Sequence, residues 1–181
     1  MESLVSACER NEVPGRVVAV GADRHCEGLA RAERHGIEPW VVRPRDYPSR
    51  ESWGEALLER VGKSTPDLVV SAGFMRILPP AFVDAFEGRL INLHPSLLPD
   101  FPGAHAVRDA LAAGVDETGT TVHFIDHGVD SGTVLLQRTV PVRPGDTEKM
   151  LHERIKEVEH VLLPEACRLL LTRPTRRASD G

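Results

Sequence analysis

Three observations predict an α/β fold built on a doubly wound, mostly parallel sheet of the Rossmann-like kind. Short apolar runs alternate with amphipathic helical stretches through the first half of the chain, the pattern of a sheet with helices on both faces. The run Asp-Leu-Val-Val-Ser-Ala at 67–72 is almost continuously apolar, as expected of a strand covered on both sides. The run Leu-Ile-Asn-Leu-His-Pro at 90–95 ends an apolar strand with two polar side chains, Asn92 and His94. Open α/β sheets bind ligands at that end of their strands.

The elements follow in order. Residues 1–9 carry Leu4, Val5 and Cys8 at helical spacing, which predicts a helix. Residues 16–20 read as a strand, 25–35 as a helix stopped by Gly36, and 39–42 as the next strand. A helix over 49–62 places Trp53, Leu57, Leu58 and Val61 on one side. After the strand at 67–72 come a short helix over 79–86 and the strand over 89–94. Pro95 has no N–H for the ladder and ends that strand. A helix over 105–113 is closed by Gly114, and 120–125 and 134–142 are strands rich in β-branched residues. The last helix spans 147–171, with Pro164 expected to kink or split it. The polar tail, 173–181, reads as disordered. No repeat or linker interrupts the pattern, so residues 1–172 are expected to form one domain.

Composition narrows the function. The 181 residues are 41% hydrophobic and 27% charged, with a net charge of −5, ordinary for a soluble protein and unlike a nucleic-acid-binding surface. Three scattered cysteines without a CxxC pair fit a reduced, cytoplasmic chain. No stretch has the length and apolarity of a membrane span, and the first residues do not read as a signal peptide.

The chemistry concentrates in three runs. Asn92 and His94 are two apart on a strand, so they share a face while Ile91 and Leu93 point the other way. An amide donor beside an imidazole suits a carbonyl oxygen that gains negative charge. A second run, Gly-Thr-Thr-Val-His-Phe-Ile-Asp-His-Gly-Val-Asp-Ser-Gly at 119–132, leads a strand into a loop with Asp126 and Asp130. A third, Ala-Gly-Phe-Met-Arg-Ile-Leu-Pro at 72–79, is apolar with one arginine. His123 reads as a core histidine and His127 as a loop residue. The histidines and carboxylates lack a compact ligand motif such as HExxH, so no metal is expected.

Together the three runs resemble the folate-dependent formyltransferases, over residues 1 to about 171. The Asn-x-His-Pro-Ser-Leu-Leu-Pro run with the downstream Asp-x-Gly loop is specific to that superfamily. The Ala-Gly-Phe-Met-Arg-Ile-Leu run is similar to its glycinamide ribonucleotide branch. The resemblance implies transfer of a formyl group from 10-formyltetrahydrofolate to the amine of 5'-phosphoribosylglycinamide in purine biosynthesis, without a metal. It implies small-molecule substrates, no nucleic acid, no membrane, and a monomer or homodimer. It casts Asn92 as the amide donor to the formyl oxygen, His94 as its imidazole partner, and Asp130 as the carboxylate that tunes the site and takes a proton from the amine. His105 matches a family histidine near that carboxylate; its competing reading is a solvent-facing residue at a helix start. Phe74, Met75, Ile77, Leu78 and Val83 match the apolar wall around the pterin, and Asp126 lies in the segment that matches its polar edge. Arg50 and Arg76 match residues near the glutamate tail of the folate, where a planar cation suits a carboxylate. Glu159 matches an acid that contacts the ribose. Arg50 reads equally as an exposed helix-start residue, and Glu159 as one charge on a solvated helix face.

One departure stands out. The family opens with a strand and a Gly-Ser-Asn-type loop that grips phosphate with backbone N–H groups, whereas this sequence begins at the following helix. The expectation is therefore a sheet without its first strand, whose neighbours keep unpaired edges, and a start site that belongs further upstream. The rival expectations are a different acceptor amine, such as an amino sugar, and a non-catalytic folate-binding paralogue.

Overall fold

A computed structural model describes residues 1–172; the tail at 173–181 lies outside the described residues. The elements are α1 (Glu2–Glu9), β1 (Ala19–Ala22), α2 (Glu27–Arg34), β2 (Glu38–Val41), a 3-10 turn (Pro44–Asp46), α3 (Arg50–Gly62), β3 (Val69–Ala72), α4 (Pro80–Ala85), β4 (Leu90–His94), α5 (Ala106–Ala113), β5 (Glu117–Phe124), β6 (Val134–Pro141) and α6 (Glu148–Leu171).

Local chemistry sets many of the boundaries. Ser49 caps α3 by accepting from the Ser52 N–H, and Ser52 reciprocates, which satisfies donors that a helix start leaves open. Thr147 caps α6 in the same way at the Met150 N–H. Gly114 ends α5 at φ 68°, a conformation other residues adopt only with strain. The strand expected over 16–20 is displaced to Ala19–Ala22, because its limits are set by pairing with β2, Ala19 opposite Glu38 and Ala22 opposite Val41.

Pro164 does not split the last helix; α6 runs unbroken through it for 24 residues. The proline removes one hydrogen bond to the carbonyl of residue 160, on an exposed stretch where water can replace it. On the inner side Leu162, Leu163, Ala166 and Cys167 are buried with Ala7, Ile91 and Val122, and this packing holds both halves of the helix in line.

The strands form two ladders. β1 and β2 pair in parallel. The larger sheet has the order β3-β4-β5-β6, with β3 parallel to β4 and the last two strands antiparallel to their neighbours. Among the described residues no ladder joins β1 to β3, the interruption that the sequence led us to expect between two parallel strands. Each keeps an edge without a strand partner.

β4 lies at the centre of the packing. Leu90 faces Trp53, Leu57, Phe82 and Phe86 from α3 and α4, while Ile91 faces α1 and α6. Alternation along the strand then carries Asn92 and His94 to the Leu90 side, at the strand's carboxyl end. Because Leu162 is fully buried between α6 and the sheet, Leu162→Ala is expected to cost about 2–5 kcal/mol. That lowers the midpoint of thermal unfolding by about 2–4 °C per kcal/mol; scanning calorimetry of the two proteins checks it.

Candidate active site

The antiparallel register of β4 and β5 builds the centre of the site. It sets Asn92 opposite His123 and His94 opposite Thr121. A register shift between Val122 and His123 in the pairing with β6 is a local irregularity of the kind that re-aims side chains beside active sites. Beyond β5 the chain returns through the loop at 125–133, and Asp130 comes back against both histidines. Its Oδ2 is 3.4 Å from His94 Nδ1 and its Oδ1 is 3.5 Å from His123 Nε2.

Four groups therefore converge. Asn92 Nδ2 lies 3.2 Å from His123 Nε2 and 3.5 Å from Asp130 Oδ1. His123 Nδ1 is 2.8 Å from the Phe124 carbonyl and donates to it, so its Nε2 is the shared position. With a hydrogen, Nε2 serves the carboxylate; without one, it accepts the Asn92 N–H. His94 Nε2 donates to the Phe101 carbonyl at 2.9 Å. Both ring nitrogens of His94 thus face acceptors, the Phe101 carbonyl and the Asp130 carboxylate.

Asp130 is held as a carboxylate. Its side chain is 14% exposed, yet its pKa is lowered from 3.8 to about 2. The hydrogen bond with His123 is the largest cause, and the Gly103 N–H, 2.8 Å from Oδ2, and the charge of the His94 ring add to it against the desolvation that opposes them. The loop after β4 supplies the Gly103 N–H to Asp130 and the Phe101 carbonyl to His94, and is itself fixed from below. Thr121 Oγ1 donates to the Ser96 carbonyl and accepts from the Leu98 N–H, and the Gln137 amide bonds both Leu98 O and Thr121 Oγ1. Phe101 and Asp130 both adopt φ 52°, a left-handed conformation that costs a side-chain-bearing residue about 1–2 kcal/mol. Strain of this kind persists where surrounding contacts over-determine it, and it clusters at functional sites. Gly132 is needed for close approach: a Cβ there would run into the Phe124 carbonyl.

The other expected residues divide. His105 lies exposed at the start of α5 and, among the described residues, makes no hydrogen bond to Asp130. Gly103, His123 and His94 hold that carboxylate in its stead. Met75 and Ile77 are 67% and 59% exposed, an apolar rim after β3, and Phe74 behind them stacks on Trp53 at 6.4 Å. Val83 is buried in the α3–α4 core and Leu78 packs against that core, so both support the rim from inside. Arg50 donates to the carbonyls of Ile77 and Leu78 at 3.2 and 3.0 Å, which positions the rim. Arg76 pairs with Asp23, Nε to Oδ2 2.6 Å. Asp126 accepts from the Gly128 N–H and the Ser131 hydroxyl, closing the loop that carries Asp130. Glu159 is not a solvated charge. Burial raises its pKa, and it accepts from Thr120 Oγ1 at 3.4 Å, a hydroxyl that also bonds the His94 carbonyl.

His123 is the residue whose role the sequence undersold. It is the buried histidine anticipated, but its partners are the catalytic candidates themselves. Only strand register could have shown this, since Asn92 and His123 are 31 positions apart.

Fold and site define a Rossmann-like protein that gathers an amide, two imidazoles and a carboxylate at the carboxyl edge of its sheet. The chain belongs to the formyl transferase family, whose model matches residues 1–167. It is 50% identical over 172 residues to the phosphoribosylglycinamide formyltransferase of Mycobacterium tuberculosis, covering 95% of this chain and 80% of that one. It is 46% identical over 153 residues to a trifunctional purine biosynthetic protein of Drosophila pseudoobscura, covering 84% of this chain and 11% of that protein. The crystal structure of glycinamide ribonucleotide transformylase 1 from Symbiobacterium toebii superposes with a TM-score of 0.92 at 44% identity, over 94% of this chain and 81% of that one. The chain is thus a formyltransferase by family. Among the described residues no helix is long and apolar enough to cross a membrane.

The lowered pKa of Asp130 makes its contribution to stability pH-dependent. A carboxylate depressed from 3.8 to about 2 on folding stabilises fully above the higher value and loses that contribution as pH falls through the lower one. The stability difference between the native chain and Asp130→Asn should be constant near neutrality and shrink between pH 4 and pH 2. Urea midpoints measured across that range check it; a difference independent of pH would remove the ionised carboxylate from this network.

Proposed function

We propose that the chain transfers the formyl group of 10-formyltetrahydrofolate to the amine of 5'-phosphoribosylglycinamide. The observation that carries this reading is the convergence of Asn92, His94 and Asp130 at one strand end, in a chain half identical to a phosphoribosylglycinamide formyltransferase.

The geometry suits the chemistry. The acceptor amine attacks the formyl carbon, and the carbonyl oxygen becomes an oxyanion. The Asn92 N–H that reaches Asp130 only at 3.5 Å is free to turn to that oxygen. The long His94 Nδ1 contact of 3.4 Å leaves this N–H able to be shared between the carboxylate and the oxyanion. Donors fixed before the reaction stabilise developing charge without reorganising. Collapse of the intermediate breaks the bond from the formyl carbon to N10 of the folate. The proton lost by the amine passes to N10, and tetrahydrofolate leaves.

Asp130 acts in this reading as a fixed negative charge and a relay. A carboxylate with a pKa near 2 is a weak base at neutral pH, so it does not store the amine proton. It stabilises the attacking nitrogen as that atom becomes positive, orients the His94 ring, and hands the proton onward. The exposed Met75 and Ile77 offer the pterin an apolar surface, and Glu159, beside the His94 strand end, faces the acceptor. Residues 1–172 act as one formyltransferase domain.

The test is formyl transfer by this chain from 10-formyltetrahydrofolate to phosphoribosylglycinamide, with the formylated product followed by mass spectrometry. Asn92→Ala and His94→Ala are expected to lower kcat by about a hundred- to a thousand-fold each, and Asp130→Ala to lower it strongly, with unchanged circular dichroism. Near-native rates in all three variants would overturn the mechanism. Folate binding without transfer to this acceptor would overturn the substrate assignment and direct the search to other amines.

A further inference from the structure

The loop at 125–133 is held in two unlike ways. Its Asp130 end is fixed by His94, His123 and the Gly103 N–H, and its base by the Ile125 N–H, which donates to the Leu90 carbonyl at 3.0 Å. The tip between them closes on itself, because Asp126 accepts from the Gly128 N–H and the Ser131 hydroxyl. From this tip His127 reaches out of the loop: its Nε2 lies 2.9 Å from Asp84 Oδ1 on α4.

That contact joins the two sides of the site. β4 lies between β3 and β5, so the rim after β3 and the loop after β5 flank the strand end that carries Asn92 and His94. α4 follows directly on the rim, and Asp84 stands in its last turn. Each side shows apolar groups to solvent, Met75 and Ile77 on the rim and Val129, 55% exposed, on the loop. An acid in the last turn of a helix opposes the helix dipole, and a donor or cation beside it offsets this. Asp84 therefore favours the position in which the loop meets it.

We propose that the His127–Asp84 pair is a positioning contact for the formyl donor: it fixes the loop tip against α4 and so sets the width between loop and rim in which the donor's ring system binds. The inference rests on the folate reading and adds to it two residues outside the catalytic group. The pair acts through the loop and touches neither the reacting carbon nor the acceptor. Asp130 has three contacts of its own, so a loosened tip leaves the catalytic carboxylate in place. The loss falls on donor binding, because the donor must then order the tip as it binds. Both side chains are more than half exposed, 59% and 65%, and an exposed pair holds weakly, so the effect is a few-fold.

The experiment measures kcat and both KM values for the native chain, His127→Gln, Asp84→Asn and the double variant, with 10-formyltetrahydrofolate and phosphoribosylglycinamide as substrates. Each single variant is expected to raise the donor KM by about two- to fivefold, with kcat and the acceptor KM unchanged. The double variant should do no worse than either single one, as for two residues that work through one contact. His127→Lys, which keeps a cation opposite Asp84, should recover most of the native donor KM. A donor KM unchanged in both single variants overturns the inference and leaves the folate reading intact. Additive losses in the double variant overturn the pairing as their cause. An equal rise in the acceptor KM, or a fall in kcat of the same size, overturns donor positioning in favour of a general loosening of the site. A native chain that neither binds nor uses the folate donor overturns the folate reading, and this inference with it.

Discussion

The antiparallel register between β4 and β5 is the constraint on which the rest depends. Side chains alternate along a strand, so a slip of one residue would turn every polar group on β4 to the other face and put Ile91 and Leu93 into the site. The register is held from both sides of the sheet. Ile91 and Val122 sit in one core and Leu90 in the other, and neither pair of faces tolerates exchange with Asn92 or His123. The same pairing that buries the apolar residues therefore brings an amide opposite an imidazole.

The loops inherit their positions from that ladder. Thr120 and Thr121, buried on β5, bond the carbonyls of His94 and Ser96, and Gln137 on β6 reaches the same turn. This fastens the segment that returns the Phe101 carbonyl to His94 and the Gly103 N–H to Asp130. The two residues at φ 52°, Phe101 and Asp130, are the ends of this arrangement. Their strain is offset by the surrounding bonds, and the result is a carboxylate that stays ionised between two imidazoles. A flexible loop would let water screen it and would lose the field that the chemistry uses.

The arginines show how position changes the meaning of one residue type. Arg50 spends its guanidinium on two carbonyls of the rim and serves the shape of the site. Arg154 lies against Asp146 with two bonds of 2.7 and 2.8 Å and joins α6 to the turn before it. Arg24, Arg43, Arg45 and Arg76 share two carboxylates, Asp23 and Asp46. The side chain is the same in each case; what differs is how many acceptors the fold leaves within reach.

The sequence by itself determined the element order, the α/β class and the identity of the polar groups at the end of β4. These are local properties: apolar periodicity, caps at Ser49 and Thr147, and glycines where helices end. It also carried the family, because the runs around Asn92 and Asp130 are contiguous. The tertiary structure alone decided what lies across a gap in sequence. It set His123 against Asn92, gave Asp130 to Gly103 and not to His105, set the half-buried Glu159 beside Thr120, and kept α6 whole through Pro164. Each of these follows from strand register or from packing between distant segments. Such contacts depend on the summed burial of many residues, and no local pattern encodes that sum.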